Sequence, residues 1–132
     1  GNDFVIIDQR HNHIELTNDQ VKKICNRNFI GCDQLILIKE NIKYDAELKF
    51  FNSDGSEASA CGNGTRCVAY FLSKENKKDI IDVYTCSGNL KSKILDKNTF
   101  VSTRACLNKM QFKCKILFKK RLRWFLGETM SS

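Results

Sequence analysis

The apolar positions of this chain follow several patterns, and each predicts a different element. Phe4 to Ile7 is a short β-branched and aromatic run that reads as a strand, and Leu35 to Ile38 is a four-residue apolar run suited to a buried one. Ala46, Leu48 and Phe50 instead alternate with Glu47, Lys49 and Phe51, which predicts a half-buried strand ending near Asn52. Val21, Ile24 and Cys25 recur at helical spacing behind Thr17-Asn18-Asp19-Gln20. That tetrad has the form of a capping box, with Thr17 as N-cap and Gln20 reaching back to its amide, so a helix to about Arg27 is expected. Val68, Ala69, Phe71 and Leu72 give the apolar face of a second helix, opening after Cys61 and ending near Ser73.

Between these elements Asn52 to Ala60 is small and polar, with a turn at Asp54-Gly55. Ile80 to Cys86 and Leu90 to Leu95 read as a hairpin across Ser87-Gly88-Asn89, and Thr99 to Val101 as a further short strand. The order β, α, β, β, loop, α, β, β predicts an α+β domain with several strands around few helices. From Ser102 the pattern lapses. Ile116, Leu117, Phe118, Leu122 and Trp124 suit neither a clean strand nor a clean helix.

Composition narrows the class. A chain of 132 residues with 42% hydrophobic and 28% charged residues suits one modest soluble domain. No apolar run approaches a membrane span, and the opening residues lack the features of a secretory leader. The first residue is Gly1 rather than Met, so preceding residues are expected to be missing. Seven cysteines without tight pairing, and odd in number, do not read as a disulfide framework. Reduced thiols in a cytoplasm are expected, most of them small buried hydrophobes. The net charge of +7 invites a nucleic-acid reading until it is mapped. Through Val101 the chain is neutral, with 14 basic and 14 acidic residues; the last 31 residues carry eight basic residues against Glu128. The excess therefore belongs to the tail, and basic residues without a supporting fold read as a solvated end rather than a nucleic-acid interface.

The segment from Phe51 to Cys67, FNSDGSEASACGNGTRC, carries the chemistry. It sets Cys61 at the mouth of a glycine-rich turn that opens a helix, among unpaired N–H groups and the positive end of the helix dipole. Both favour a thiolate, which makes Cys61 a candidate base or nucleophile. Gly62 and Gly64 let the backbone approach a bound group, and the same donors could hold a carboxylate. Competing motifs fit poorly. Thr65-Arg66 does not complete a Walker loop, and four residues between Cys61 and Arg66 are one too few for a cysteine phosphatase. No second pair of close ligands follows for zinc, and His11 and His13 read as exposed loop residues. Taken alone, the loop reads first as an ordinary helix start with glycines for tight turning, and Cys67 reads as a packed helix residue.

Further stretches change that weighting. Gly1-Asn2-Asp3-Phe4, Gly31-Cys32-Asp33-Gln34, the Phe51 to Cys67 segment and Thr85-x-x-Gly88-Asn89 lie in the order and at the separations seen in diaminopimelate epimerases, and the chain resembles that family from residue 1 to about 101. The resemblance implies an N-terminal lobe, a strongly curved, mostly antiparallel sheet wrapped around a central helix that starts after Cys61. It also implies an isomerase of lysine biosynthesis, bacterial and cytoplasmic, that interconverts LL- and meso-diaminopimelate with no cofactor and no metal. Two cysteines, one per lobe, would move the α-proton, and the enzyme would be a homodimer. By the same likeness Cys61 is the catalytic thiol of this lobe, and Gly62 and Asn63 bind the substrate carboxylate region. Asn2, Gln34 and Asn52 match substrate-bonding positions, although a turn or cap hydrogen bond competes at Gln34 and Asn52. A proline racemase-like enzyme of the same fold is the alternative, and the Asp-Gly-Ser-Glu run favours diaminopimelate. Residues 102–132 resemble nothing in the family and supply neither a Glu-Arg-Gly segment nor a second Cys-Gly motif. A shifted reading frame or a truncated gene would produce such a tail, and a lobe without its partner is expected to be inactive alone.

Overall fold

The structure is a computed structural model; it describes residues 3–11, 15–94, 100–102, 106–107 and 113–117, the last three segments by their backbone only. Strand β1 (Asp3–Asp8) leads through helix α1 (Asn18–Cys25) to strand β2 (Gln34–Lys39), which lies parallel to β1 with Val5 opposite Leu35. Strand β3 (Ala46–Asn52) returns antiparallel to β2, and the two-residue β4 (Glu57–Ala58) folds back on its end. Helix α2 (Gly62–Asn76) then crosses to β5 (Ile80–Thr85), parallel to β3, and a hairpin adds β6 (Gly88–Ile94).

The backbone continues as β7 (Phe100–Ser102), β8 (Cys106–Leu107) and β9 (Lys113–Leu117). The sheet order is β8-β7-β6-β5-β3-β2-β1-β9, with β4 paired to β3 off this path. Among the described residues five of its eight pairings are antiparallel and three parallel. β9 runs parallel to β1 on its free edge, where the apolar spacing of the tail indicated no clean element. An edge strand recruits a neighbour through its backbone N–H and C=O groups, so side-chain pattern is a weak guide to such pairing.

Each face of the sheet is covered by one helix. Phe4, Ile6, Ile36, Ile38, Leu48 and Phe50 face α2 and pack on its Val68, Ala69 and Leu72. Val5, Ile7, Leu35 and Leu37 point the other way, against Val21, Ile24 and Cys25 of α1. The uninterrupted apolar runs of β1 and β2 follow from burial on both faces, as in parallel strands generally. In β3 Ala46, Leu48 and Phe50 are buried while Glu47 and Lys49 are only partly so, matching its alternation. α1 begins as its sequence specifies: the Thr17 hydroxyl accepts from the Gln20 amide and the Gln20 side chain accepts from the Thr17 amide.

Two local expectations shift. The β5–β6 hairpin closes at Thr85 and Gly88, so Cys86-Ser87 form its loop and Gly88, at φ +103°, opens β6. The Thr85 hydroxyl fixes that register by donating to the Gly88 carbonyl and accepting from the Ser87 amide. Cys67 is packed in the α2-side core as expected, but it is disulfide-bonded rather than reduced. Spacing along a chain does not reveal which distant sulfurs the fold brings together.

Candidate active site

The site is set by where α2 starts. Gly64, in the first turn of α2, sits so close to the sheet that a Cβ there would lie 2.8 Å from Ile36 Cδ1 and 3.0 Å from Phe50 Cε2. Its missing side chain therefore serves helix–sheet packing. Side chains two residues apart on a strand share a face. Gln34 and Asn52 thus project on the α2 face, each one step along from the residues that seat Gly64. They are direct neighbours in the β2–β3 ladder, and Gln34 Nε2 donates to Asn52 Oδ1 at 3.3 Å. Asn2, two residues before Phe4, lies outside the described residues, as does His13; His11 is exposed beyond the end of β1.

Asn52 is held by the turn that follows it. Its amide donates to the Ser56 carbonyl at 2.8 Å, and its Nδ2 donates to Ser56 Oγ at 3.2 Å. The hydroxyl and amide of Ser56 both donate to Asp54 Oδ1, and these bonds hold the Asp54 carboxyl below its ordinary value. Gly55 turns the chain at φ +89°, with the Asn18 carbonyl 2.8 Å from where a Cβ would stand. The predicted turn at Asp54-Gly55 thus wedges against the start of α1.

Cys61 is the N-cap of α2, with extended backbone (φ −102°, ψ 127°) and no side-chain capping hydrogen bond. Its carbonyl accepts both the amide and the hydroxyl of Thr65, each at 2.8 Å. The amides of Gly62, Asn63 and Gly64 fall in the first turn, where a helix offers no acceptor of its own. That turn carries no acidic residue, so no carboxylate offsets the positive end of the dipole. Cys61 is half-buried against the α2-side core and free, Gly62 is exposed and Asn63 half-buried. The arrangement can hold an anion at the helix start with a sulfur beside it.

One residue at this site carried no role in the sequence reading. Arg66 is 6% exposed; its Nη2 donates to Asn63 Oδ1, and its Nε has no hydrogen-bond partner. Burial pushes the guanidinium below its ordinary value, and the charge of the nearby Cys61 sulfur acts in the opposite direction. A signal for it exists: Gly62 and Asn63 lie four and three residues before Arg66, so all three share a helix face. What the spacing does not show is that the face is buried.

Comparison with known proteins decides the relationship. The family model for diaminopimelate epimerase matches residues 1–105. The chain belongs to the diaminopimelate epimerase family. Among relatives, the diaminopimelate epimerase of Pelagibacter ubique is 65% identical over 98 residues, covering 74% of this chain and 36% of the relative. That of Carboxydothermus hydrogenoformans is 45% identical over 105 residues, covering 74% and 38%. The chain therefore spans little more than a third of the length of these curated relatives. Among solved structures, a phenazine biosynthesis PhzC/PhzF-type protein from Clostridium difficile aligns with TM-score 0.54 at 23% identity, over 72% of this chain and 34% of that one. Methylitaconate-delta-isomerase aligns with TM-score 0.50 at 13% identity, over 71% and 56%. These two likenesses support the fold alone, a lobe of this α+β type.

Proposed function

We propose that this chain is one lobe of a cofactor-independent diaminopimelate epimerase and supplies one of its two acid–base thiols, Cys61. The observation that carries the reading is the uncapped start of α2, with a free sulfur at the N-cap and Gln34 and Asn52 on the same face of the sheet. An amino acid α-proton is a very weak acid, so its removal needs an aimed base and donors for the charge that develops. In this reading the Cys61 thiolate takes the α-hydrogen, and the electron pair of the broken C–H bond moves onto the substrate carboxylate. The amides of Gly62 and Asn63 receive that carboxylate, and Gln34, Asn52 and Asn2 orient the substrate. A thiol from a second lobe returns a proton to the opposite face, so the lobe alone does not turn over.

The same reading takes diaminopimelate as the small-molecule partner, a homodimer as the assembly and the cytoplasm as the compartment. The neutral balance through Val101 supports no nucleic-acid role for the lobe. Among the described residues no helix is long and apolar enough to cross a membrane.

The decisive experiment joins this chain to the C-terminal lobe of its Pelagibacter ubique relative and follows deuterium uptake from D2O at the substrate α-carbon. Exchange is expected with diaminopimelate and not with proline, and Cys61→Ala is expected to lower it by about 10²–10⁴-fold. Undiminished exchange in Cys61→Ala removes the assigned role; exchange of proline instead supports a racemase-like enzyme.

A further inference from the structure

On the opposite face of the sheet from Cys61, a second pair of sulfurs has no part in the reaction above. Cys25 is the last residue of α1, and Cys32 lies two residues before β2 begins. The loop between them is tied by its own backbone: Gly31 N donates to the Ile24 carbonyl at 3.0 Å and Cys32 N to the Cys25 carbonyl at 3.2 Å. Gly31 makes the turn possible at φ +78°, with Arg27 Cα 3.0 Å from where a Cβ would stand. This frame holds the two sulfurs 3.4 Å apart, with the Cys32 thiol donating to Cys25.

We infer that Cys25 and Cys32 are a hydroperoxide-sensitive dithiol, a modification site that closes to a disulfide between the end of α1 and the start of β2. A disulfide needs sulfurs at about 2.05 Å on backbones already close together. Here the backbones are hydrogen-bonded to each other, and the sulfurs have to approach by only about 1.4 Å to reach that length. Both cysteines, themselves buried, are among the residues lining a surface cavity of about 460 Å³ with the exposed Lys22, Asn26 and Arg27, the side from which a small oxidant would reach them.

The two thiols differ in a way that divides the work. The hydrogen bond from Cys32 holds the Cys25 thiol below its ordinary value against the opposing effect of burial, with the Arg27 charge adding to the lowering. The same hydrogen bond, then burial, pushes Cys32 well above its ordinary value. Cys25 is therefore the attacking thiolate. Its sulfur bonds to one peroxide oxygen, the O–O bond breaks, and the departing hydroxide takes the Cys32 thiol proton to become water. The Cys32 thiolate then attacks the Cys25 sulfenic sulfur, expelling a second hydroxide that solvent protonates. Two thiols are oxidised to one disulfide and one peroxide is reduced to two waters. Nothing in this scheme depends on the epimerase reading.

The test uses the full chain and hydrogen peroxide, followed by iodoacetamide, trypsin and mass spectrometry. Cleavage after Lys23, Arg27 and Lys39 places Cys25 in residues 24–27 and Cys32 in residues 28–39. A linked pair of these peptides, lighter by two hydrogens than their sum and separated by dithiothreitol, is the expected product. Alkylation of Cys25 and Cys32 should fall together, one for one. Cys32→Ser should leave Cys25 as a sulfenic acid that dimedone traps, and Cys25→Ser should leave Cys32 alkylatable. Because the unsubstituted chain gives the primary reading, a variant that fails to fold does not rescue the idea. The inference is overturned if peroxide modifies Cys61 or Cys86 while Cys25 and Cys32 stay alkylated. Equal linkage of Cys25 to several cysteines overturns it too.

Discussion

The two helices start in opposite ways, and the contrast separates structure from chemistry. α1 is closed at its N-terminus: Thr17 and Gln20 satisfy each other's amides, and Asp19 in the first turn answers the dipole. α2 begins with a cysteine that makes no side-chain cap and has no acidic residue in its first turn. Its far end, by contrast, is well fastened. Arg10 bridges Asp8 at the end of β1 to Glu75, both at 2.6 Å, and Lys78 pairs with Asp45 at 2.6 Å. With its C-terminal end fastened and its N-terminal end without a side-chain cap, α2 leaves its first-turn donors available, as the proposed function requires.

The contrast can be broken most strongly at Gly64. Gly64→Val should push α2 away from Ile36 and Phe50 and destabilise the chain by about 1–3 kcal/mol, read as a lower urea midpoint with little change in slope. An unaltered midpoint would mean that α2 is not seated as described. Next in size is Thr17→Ala, which removes the α1 cap and should lower stability by about 1 kcal/mol while leaving α-hydrogen exchange in the two-lobed enzyme unchanged.

Cys61→Ser sharpens the comparison in the other direction. Serine is a preferred N-cap, so this variant should gain about 0.5–1 kcal/mol of stability while its exchange activity falls. A midpoint that does not rise would show that the first-turn amides of α2 already have partners.

The smallest effect is confined to acid. Burial by itself would raise the Asp8 carboxyl, but the hydrogen bonds and charge of Arg10 outweigh it and hold the group below its ordinary value. A depressed carboxyl contributes stability that is complete above its unfolded value of about 3.9 and is lost as pH falls through the lower folded value. Denaturation midpoints should therefore be flat at neutral pH and decline below about pH 4, and Asp8→Asn should flatten that decline. An equal decline in the variant would assign the acid sensitivity to other carboxylates, Asp45 among them.

Much of this architecture can be read from local pattern. The capping box, the buried runs of β1 and β2, the alternation of β3 and the Asp54-Gly55 turn are each decided by residues within a few positions of one another, so short-range chemistry suffices. The Phe51–Cys67 segment likewise placed Cys61 at a helix start, because glycine spacing and the apolar face of α2 are contiguous in the chain. What sequence by itself determined is therefore the identity and order of the elements and the position of the candidate thiol.

Tertiary structure alone decided the rest. The β5–β6 register turned on the Thr85 hydroxyl, the placing of β9 on a free backbone edge, and the burial of Arg66 on contacts its helical spacing does not encode. That Gly64 is needed for packing follows only from Ile36 and Phe50 lying beneath it. Cys25 and Cys32 stand seven residues apart, and it is the looped backbone and the core against which α1 packs that hold their sulfurs in contact. The burial of Arg66, the seating of Gly64 and the contact of the two sulfurs depend on which distant surfaces exclude water together, a property of the folded chain that no single segment contains.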